Sequence, residues 1–203
     1  MDFKIFKWLN KSQHSITDNK ITITAPANTD YFNSPVPENG QFKPPQGNAP
    51  FFYTQVEGDF VAKVKVTPNS TDTYDAACLM VMEDQNLWIK AAYEKSDFDT
   101  QAVVSVVTNQ VSDDANGCNI VTNDCDPTDT HVWLQIARVG NNFAVHYSLD
   151  GEKFDMVRLC FLPVSPAIKV GIEAQAPMGE GGIREFENFT IENRTISNLR
   201  AGK

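Results

Sequence analysis

The chain has 203 residues, of which 41% are hydrophobic and 21% charged, with a formal net charge of −9. That length fits one large β domain or two small ones, and a sandwich of this size is commonly a single unit. The acidic balance and the absence of any Lys/Arg cluster exclude a nucleic-acid partner, and no run of about 18 apolar residues exists to span a membrane.

Met1 to Trp8 lacks the apolar stretch of roughly 7–15 residues that a secretory signal needs, so the expected compartment is the cytoplasm. The four N-x-S/T sequons at Asn10, Asn69, Asn188 and Asn193 then carry no glycan. The first strand pattern is the alternation Lys20 to Thr24, broken after Ala25. A loop rich in Pro, Gly and Asn follows from Asn33 to Pro50, where five prolines exclude helix and central strand.

Phe51 to Val56 and Phe60 to Val66 read as strands, the latter with Phe60, Ala62, Val64 and Val66 on one side. Ala76 to Met82 is nearly all apolar and predicts a central strand buried on both faces. Leu87 to Glu94 has two chemically different faces. Leu87, Ile89, Ala91 and Tyr93 form a core face, while Trp88, Lys90, Ala92 and Glu94 point the other way. Ala102 to Thr108 is the next strand. The acidic stretch 113–130 then reads as a long loop inserted between strands.

Five further strands follow, at His131–Val139, Phe143–Ser148, Met156–Phe161, Ile168–Ala174 and Arg184–Glu192. Gly140 to Asn142 makes a tight hairpin between the first two. Helical periodicity is absent beyond one or two short turns. The pattern predicts an all-β sandwich with no internal repeat and one domain over 1–203.

Cys78 and Cys160 lie in apolar runs and read as small core residues. Cys118 and Cys125 flank a polar loop whose spacing permits a disulfide, which a reducing cytoplasm disfavours. No paired Cys/His spacing supports zinc. Asp113, Asp114, Asp124, Asp126 and Asp129 crowd the long loop. Ca²⁺ takes six to eight oxygens, but the spacing matches no EF-hand, so neither a metal nor a cofactor is expected.

The Trp88/Lys90/Glu94 row is the candidate ligand site. Same-face neighbours on a strand lie about 6.5–7 Å apart, a spacing that suits adjacent parts of a sugar ring, with the indole stacked and the charges bonded to hydroxyls. Arg158 and Glu173 interrupt apolar strands and belong on a groove face or in a paired core site. Glu94 could pair across strands with Glu173 or Asp30. No catalytic residues are assigned. The E-x-D-x-x-E string of sandwich glucanases is missing, and His14, His131 and His146 have no matching Ser, Cys or zinc motif.

Six segments together resemble the DUF1349 family: Ala25-Pro-Ala-Asn-Thr-Asp-Tyr-Phe32, Val56 to Val61, Tyr74-Asp-Ala-Ala-Cys-Leu-Met-Val81, Trp88-Ile-Lys-Ala-Ala-Tyr-Glu94, Ser105-Val-Val-Thr108 and Tyr147 to Phe154. The likeness runs from about Trp8 to Glu192. It implies a concanavalin A-like lectin/glucanase jelly roll of two antiparallel sheets with a concave face. The resemblance would put Trp88, Lys90, Glu94 and Thr108 on that face, with Arg158 a weaker candidate and Asp30 near the rim. The chain departs from the family pattern at Phe32, where members commonly have Trp, and after Ser112-Asp113.

The expected function is a carbohydrate- or small-metabolite-binding sandwich. The resemblance implies a regulatory role in carbohydrate metabolism through a glycolytic enzyme such as enolase. Two alternatives are an enzyme acting on a sugar derivative, with Glu94 as acid or base and Lys90 polarising an oxygen, and a protein-interaction domain.

Overall fold

The structure is a computed structural model and describes residues 1–34, 46–119 and 131–203, with only the backbone at 118–119. After a 3-10 turn at Phe3–Ile5, the strands are β1 (Lys7–Leu9), β2 (His14–Ile16), β3 (Lys20–Pro26), β4 (Tyr31–Phe32), β5 (Gln46–Gly47), β6 (Phe51–Glu57), β7 (Phe60–Thr67) and β8 (Ala76–Asp84). The second half contains β9 (Leu87–Lys95), β10 (Gln101–Asn109), β11 (Val111–Asn119), β12 (Val132–Val139), β13 (Asn142–Ser148), β14 (Asp155–Phe161), β15 (Ala167–Gln175) and β16 (Gly181–Glu192).

Two seven-stranded antiparallel sheets pack as a sandwich. One runs β1-β6-β15-β8-β9-β10-β11 and the other β14-β13-β12-β7-β16-β3-β2. The period-2 patterns account for the inner faces. Phe60, Ala62, Val64 and Val66 meet Leu79, Val81, Ile89, Ala91 and Tyr93 in one core shared by both sheets. Burying a side chain of this kind contributes about 1.5–3 kcal/mol, so the inner faces hold the layers together.

One expectation needs correction. The loop predicted from 113 begins later, because residues 113–119 are strand and pair with β10, with Ser105 opposite Ala115. Alternating small and polar residues on an edge strand give little apolar signal to read. The rest of that loop, with Asp124, Asp126, Asp129 and Cys125, lies outside the described residues. The side chain of Cys118 lies outside them too.

The first sheet is covered on its outer face as well. A second apolar cluster there joins Cys78, Met80, Met82, Trp88, Ala92, Val104 and Val106 to Tyr31, Ala49, Phe51 and Tyr53. The small β4–β5 ribbon supplies part of this cover. It is pinned by the Thr29–Ala176 bridge and by Asn10, whose side-chain amide shares its two hydrogens among Tyr31 Oη (3.1 Å) and the carbonyls of Gly47 (2.9 Å) and Ala49 (3.0 Å). Ala76–Met82 is therefore buried on both faces, as its composition predicts. On the other sheet's outer face, Ile196 packs on Val61 and Ala137, and His146 Nε2 donates to Leu199 O at 2.9 Å.

Candidate ligand-binding site

Strand β9 lies between β8 and β10, so every second side chain projects into the middle of the covered outer face. Lys90 stands opposite Met80 on β8 and Val106 on β10, and Glu94 stands opposite Ala76 and Ala102. Glu173 on β15 faces Cys78 across β8, and Gln175 faces Ala76. Sheet register thus brings one cation and two carboxyls onto one surface, together with Asp30, which precedes β4.

Lys90 is 2% exposed and its ammonium has three acceptors: Asp30 Oδ1 at 3.2 Å, Tyr31 O at 3.0 Å and Gln175 Oε1 at 2.5 Å. An ammonium carries three N–H groups, so none remains for a ligand. Burial alone would lower the Lys90 pKa, but Asp30, Glu173, Cys78 and Glu94 outweigh it and hold the group charged. This corrects the role expected for Lys90. It fastens the 30–31 segment to the sheet and sets the local field.

Trp88 is also placed differently from the expectation of an accessible platform. It is fully buried, its indole N–H donates to Gln85 O at 3.1 Å, and Tyr31 meets it edge-on with ring centroids 6.2 Å apart. Lys90 Nζ lies 5.7 Å from its ring centroid. Sequence alternation separates two faces but is blind to a third layer covering one of them.

Glu173 has no solvent exposure, and neither of its carboxyl oxygens has a hydrogen-bond partner of ordinary geometry. Burial pushes it up to about 7, against the pull of the Lys90 charge, the weak thiol donor of Cys78 and the Arg184 charge. Burial likewise pushes Glu94 up to about 8, with Lys90 opposing and Asp30, Asp114 and Glu173 adding to the rise. An orphaned buried carboxyl typically costs about 1–3 kcal/mol or more, which marks it as unfinished without a donor.

The remaining candidates divide. Asp30 stands at the rim, its side chain 13% exposed, and accepts from Lys90 and from the Tyr31 amide at 2.7 Å. Thr108 shares the face, opposite Trp88, but its hydroxyl bonds Ser112 Oγ at 2.7 Å and closes the β10–β11 turn. Arg158 does not join the cluster. It sits on the edge strand β14 of the other sheet and reaches Asp113 Oδ2 at 3.1 Å, linking the sheets at one corner.

Sequence reading missed two contributors. Gln175 bridges Lys90 to the carbonyl of Tyr74, to which its Nε2 donates at 2.9 Å. Tyr74 is 38% exposed and has φ +66°, a strained value for a bulky residue. Burial raises its hydroxyl pKa, and the charges of Asp97, Glu94 and Asp114 raise it further. Its place between a turn and an apolar strand gave no sign of this. Among the described residues, no group of three His, Cys, Asp or Glu is placed to hold a metal ion, and no helix is long and apolar enough to cross a membrane.

A family model described as protein of unknown function (DUF1349) matches residues 8–194. The chain is similar to Regulation of enolase protein 1 of Saccharomyces cerevisiae, 26% identical over 181 residues that cover 87% of this chain and 83% of that protein. It superposes on the crystal structure of a functionally unknown protein from Saccharomyces cerevisiae with a TM-score of 0.82 and 24% identity, over 96% of this chain and 100% of the other. The carbohydrate-binding module CBM66 from Bacillus subtilis matches with a TM-score of 0.59 and 12% identity, over 92% and 95% of the two chains. A mutant of the GH43 protein BlXynB from Bacillus licheniformis matches at 0.69 and 10% identity over 92% of this chain, which spans 36% of that longer one. These structural likenesses establish the shared sandwich fold.

Proposed function

The chain belongs to the DUF1349 family, and from that membership and the geometry around Glu173 we propose that it is a cytoplasmic protein that binds a carbohydrate or small polyhydroxylated metabolite. The site is the outer face of the first sheet, between Glu173, Glu94 and the Asp30 rim. The observation that carries this reading is the fully buried Glu173 carboxyl with two unpartnered oxygens, an acceptor pair suited to ligand hydroxyls. The fold shared with a carbohydrate-binding module supports the ligand class, and the relative named for enolase regulation supports a glycolytic enzyme as the downstream partner. The enzymatic alternative loses its electrophile, since every N–H of Lys90 is committed within the protein.

Met80 lies directly across from Lys90, and Met82 lies across from Trp88. Their methyl resonances therefore report on this face. Titration of methyl-labelled protein with monosaccharides, sugar alcohols and their amino and phosphorylated derivatives is expected to shift both signals with at least one ligand class. Unmoved Met80 and Met82 signals across the panel, with the protein folded, would sink the proposal.

A further inference from the structure

Resting on that reading, we propose that the site selects a ligand carrying a protonated amine, such as an amino sugar or amine-bearing polyol, over a phosphorylated or carboxylated one. Lys90 is the cation nearest the site, and its three N–H groups are taken by Asp30, Tyr31 and Gln175. Arg184, the other cation acting on Glu173, is fully buried and directs four of its five N–H groups elsewhere. Its Nη2 pairs with Asp75 Oδ2 at 3.0 Å and donates to Gln175 O at 3.1 Å, its Nε donates to the same carbonyl at 3.2 Å, and its Nη1 reaches Asn69 O.

With both cations bonded elsewhere, the only group among the described residues placed to donate to Glu173 is the weak thiol of Cys78. Glu173 is walled by Phe51 on β6 and Cys78 on β8, its register partners, neither of which is a strong donor. A phosphate entering here would meet the Asp30 carboxylate and a partly ionised Glu173 and find no uncommitted cation, an arrangement that disfavours it. A protonated amine would supply charge-assisted hydrogen bonds to the orphaned oxygens, about twice as strong as neutral ones.

The Gln175 end of the site has the same character. Tyr74 is a half-exposed aromatic ring there, and the ionisable groups acting on it are Asp97, Glu94 and Asp114, all acidic. An exposed aromatic ring face attracts a cation. Its strained backbone, held by the Tyr74 N–H donating to Lys95 O at 2.7 Å and by the Gln175 side chain, is of the kind retained at binding sites.

The test is calorimetric titration and thermal shift of the full chain at pH 7 with 2-amino-2-deoxyglucose, glucose and glucose 6-phosphate, repeated on Glu173→Gln. The expected result is binding of the amino sugar at least about tenfold tighter than glucose, no binding of the phosphate, and a loss of about tenfold or more in Glu173→Gln. The Gln variant keeps the shape of the side chain and separates loss of charge from loss of fold. Equal binding of glucose and amino sugar, or tighter binding of the phosphate, would overturn the amine preference and leave the sugar site standing. Undiminished amine binding by Glu173→Gln would overturn the placement. No binding of any probe would overturn both proposals.

Discussion

Lys90 donates to Gln175 Oε1 at 2.5 Å and so ties β9 to β15, two strands that are not neighbours because β8 runs between them. The same ammonium holds Asp30 and Tyr31, so one side chain fixes both the sheet and its cover.

Replacing Lys90 with Met keeps the aliphatic stem but leaves Tyr31 O and Gln175 Oε1 without that donor and Asp30 Oδ1 with only the Tyr31 amide. Removing one partner of a buried ion pair costs about 3–5 kcal/mol. Urea denaturation of Lys90→Met is expected to show a loss of that order at pH 7. Hydrogen exchange should rise most at the Tyr31 and Asn33 amides, on the segment that Lys90 pins down. A loss below about 1 kcal/mol would mean that Asp30 and Tyr31 are held by other contacts.

The stability contributed by Glu173 and Glu94 should fall as pH rises from 5 to 8. Buried His146, its pKa lowered by desolvation, acts in the opposite sense in the acid part of that window. Glu173 and Glu94 titrate near 7 and 8 in the folded chain, against about 4.3 when unfolded, so the folded state binds more protons in this window. The ionisable groups interacting with Glu173 include Lys90, Asp30, Cys78, Arg184, Glu94 and Tyr31, and Lys90, with its pKa raised, stays charged throughout. Asp59 and Asp150 have lowered values, so their stabilisation is lost only at more acid pH. Glu173→Gln should remove a loss on the order of 3 kcal/mol, raising Tm at pH 8 and leaving it nearly unchanged at pH 5. Parallel pH profiles for the two proteins would refute this.

Trp88 and Tyr74 should behave oppositely. Trp88→Ala empties a fully buried site and is expected to cost about 3–5 kcal/mol. Tyr74→Ala touches a partly exposed ring, should cost under about 1 kcal/mol, and should weaken amino-sugar binding. Thermal melts and titration calorimetry on both variants distinguish them. A stable Trp88→Ala that loses ligand would restore the indole as the platform.

Arg184→Met should be as damaging as Lys90→Met, because Asp75 is fully buried and keeps only the Thr71 and Asp72 amides and the Thr71 hydroxyl. A double-mutant cycle with Asp75→Asn is expected to give a coupling of about 1–3 kcal/mol. Additive losses would show that the two side chains act separately.

The fold was legible because alternation is a local signal. Phe60 to Val66 and Leu87 to Glu94 each declare two faces, and the Lys90/Glu94 row is visible in one strand. The grouping of Glu94 with Glu173 and Asp30 was readable only as one pairing among several, since it depends on which strands lie beside β8. Trp88 misled because an aromatic beside two charges resembles a groove, whereas Tyr31 and its neighbours arrive from another part of the chain to cover it. Arg158 misled for the reverse reason. A cation in an apolar strand also fits an edge where two sheets meet, and β14 is such an edge. Tyr74 carried no pattern at all, for its position depends on a left-handed backbone that a sequence does not display.

Asn10 belongs to the sequon Asn10-Lys11-Ser12, yet its side-chain nitrogen is the clasp that closes on Tyr31, Gly47 and Ala49. An oligosaccharide attached at that nitrogen would take the place of a donor hydrogen and stand between the N-terminal segment and the ribbon it secures. Passage through a glycosylating secretory pathway would therefore set modification against folding at this one atom. Material made there should divide into a glycosylated fraction with a loosened ribbon and a bare fraction with the clasp closed, which gel mobility and protease sensitivity would separate.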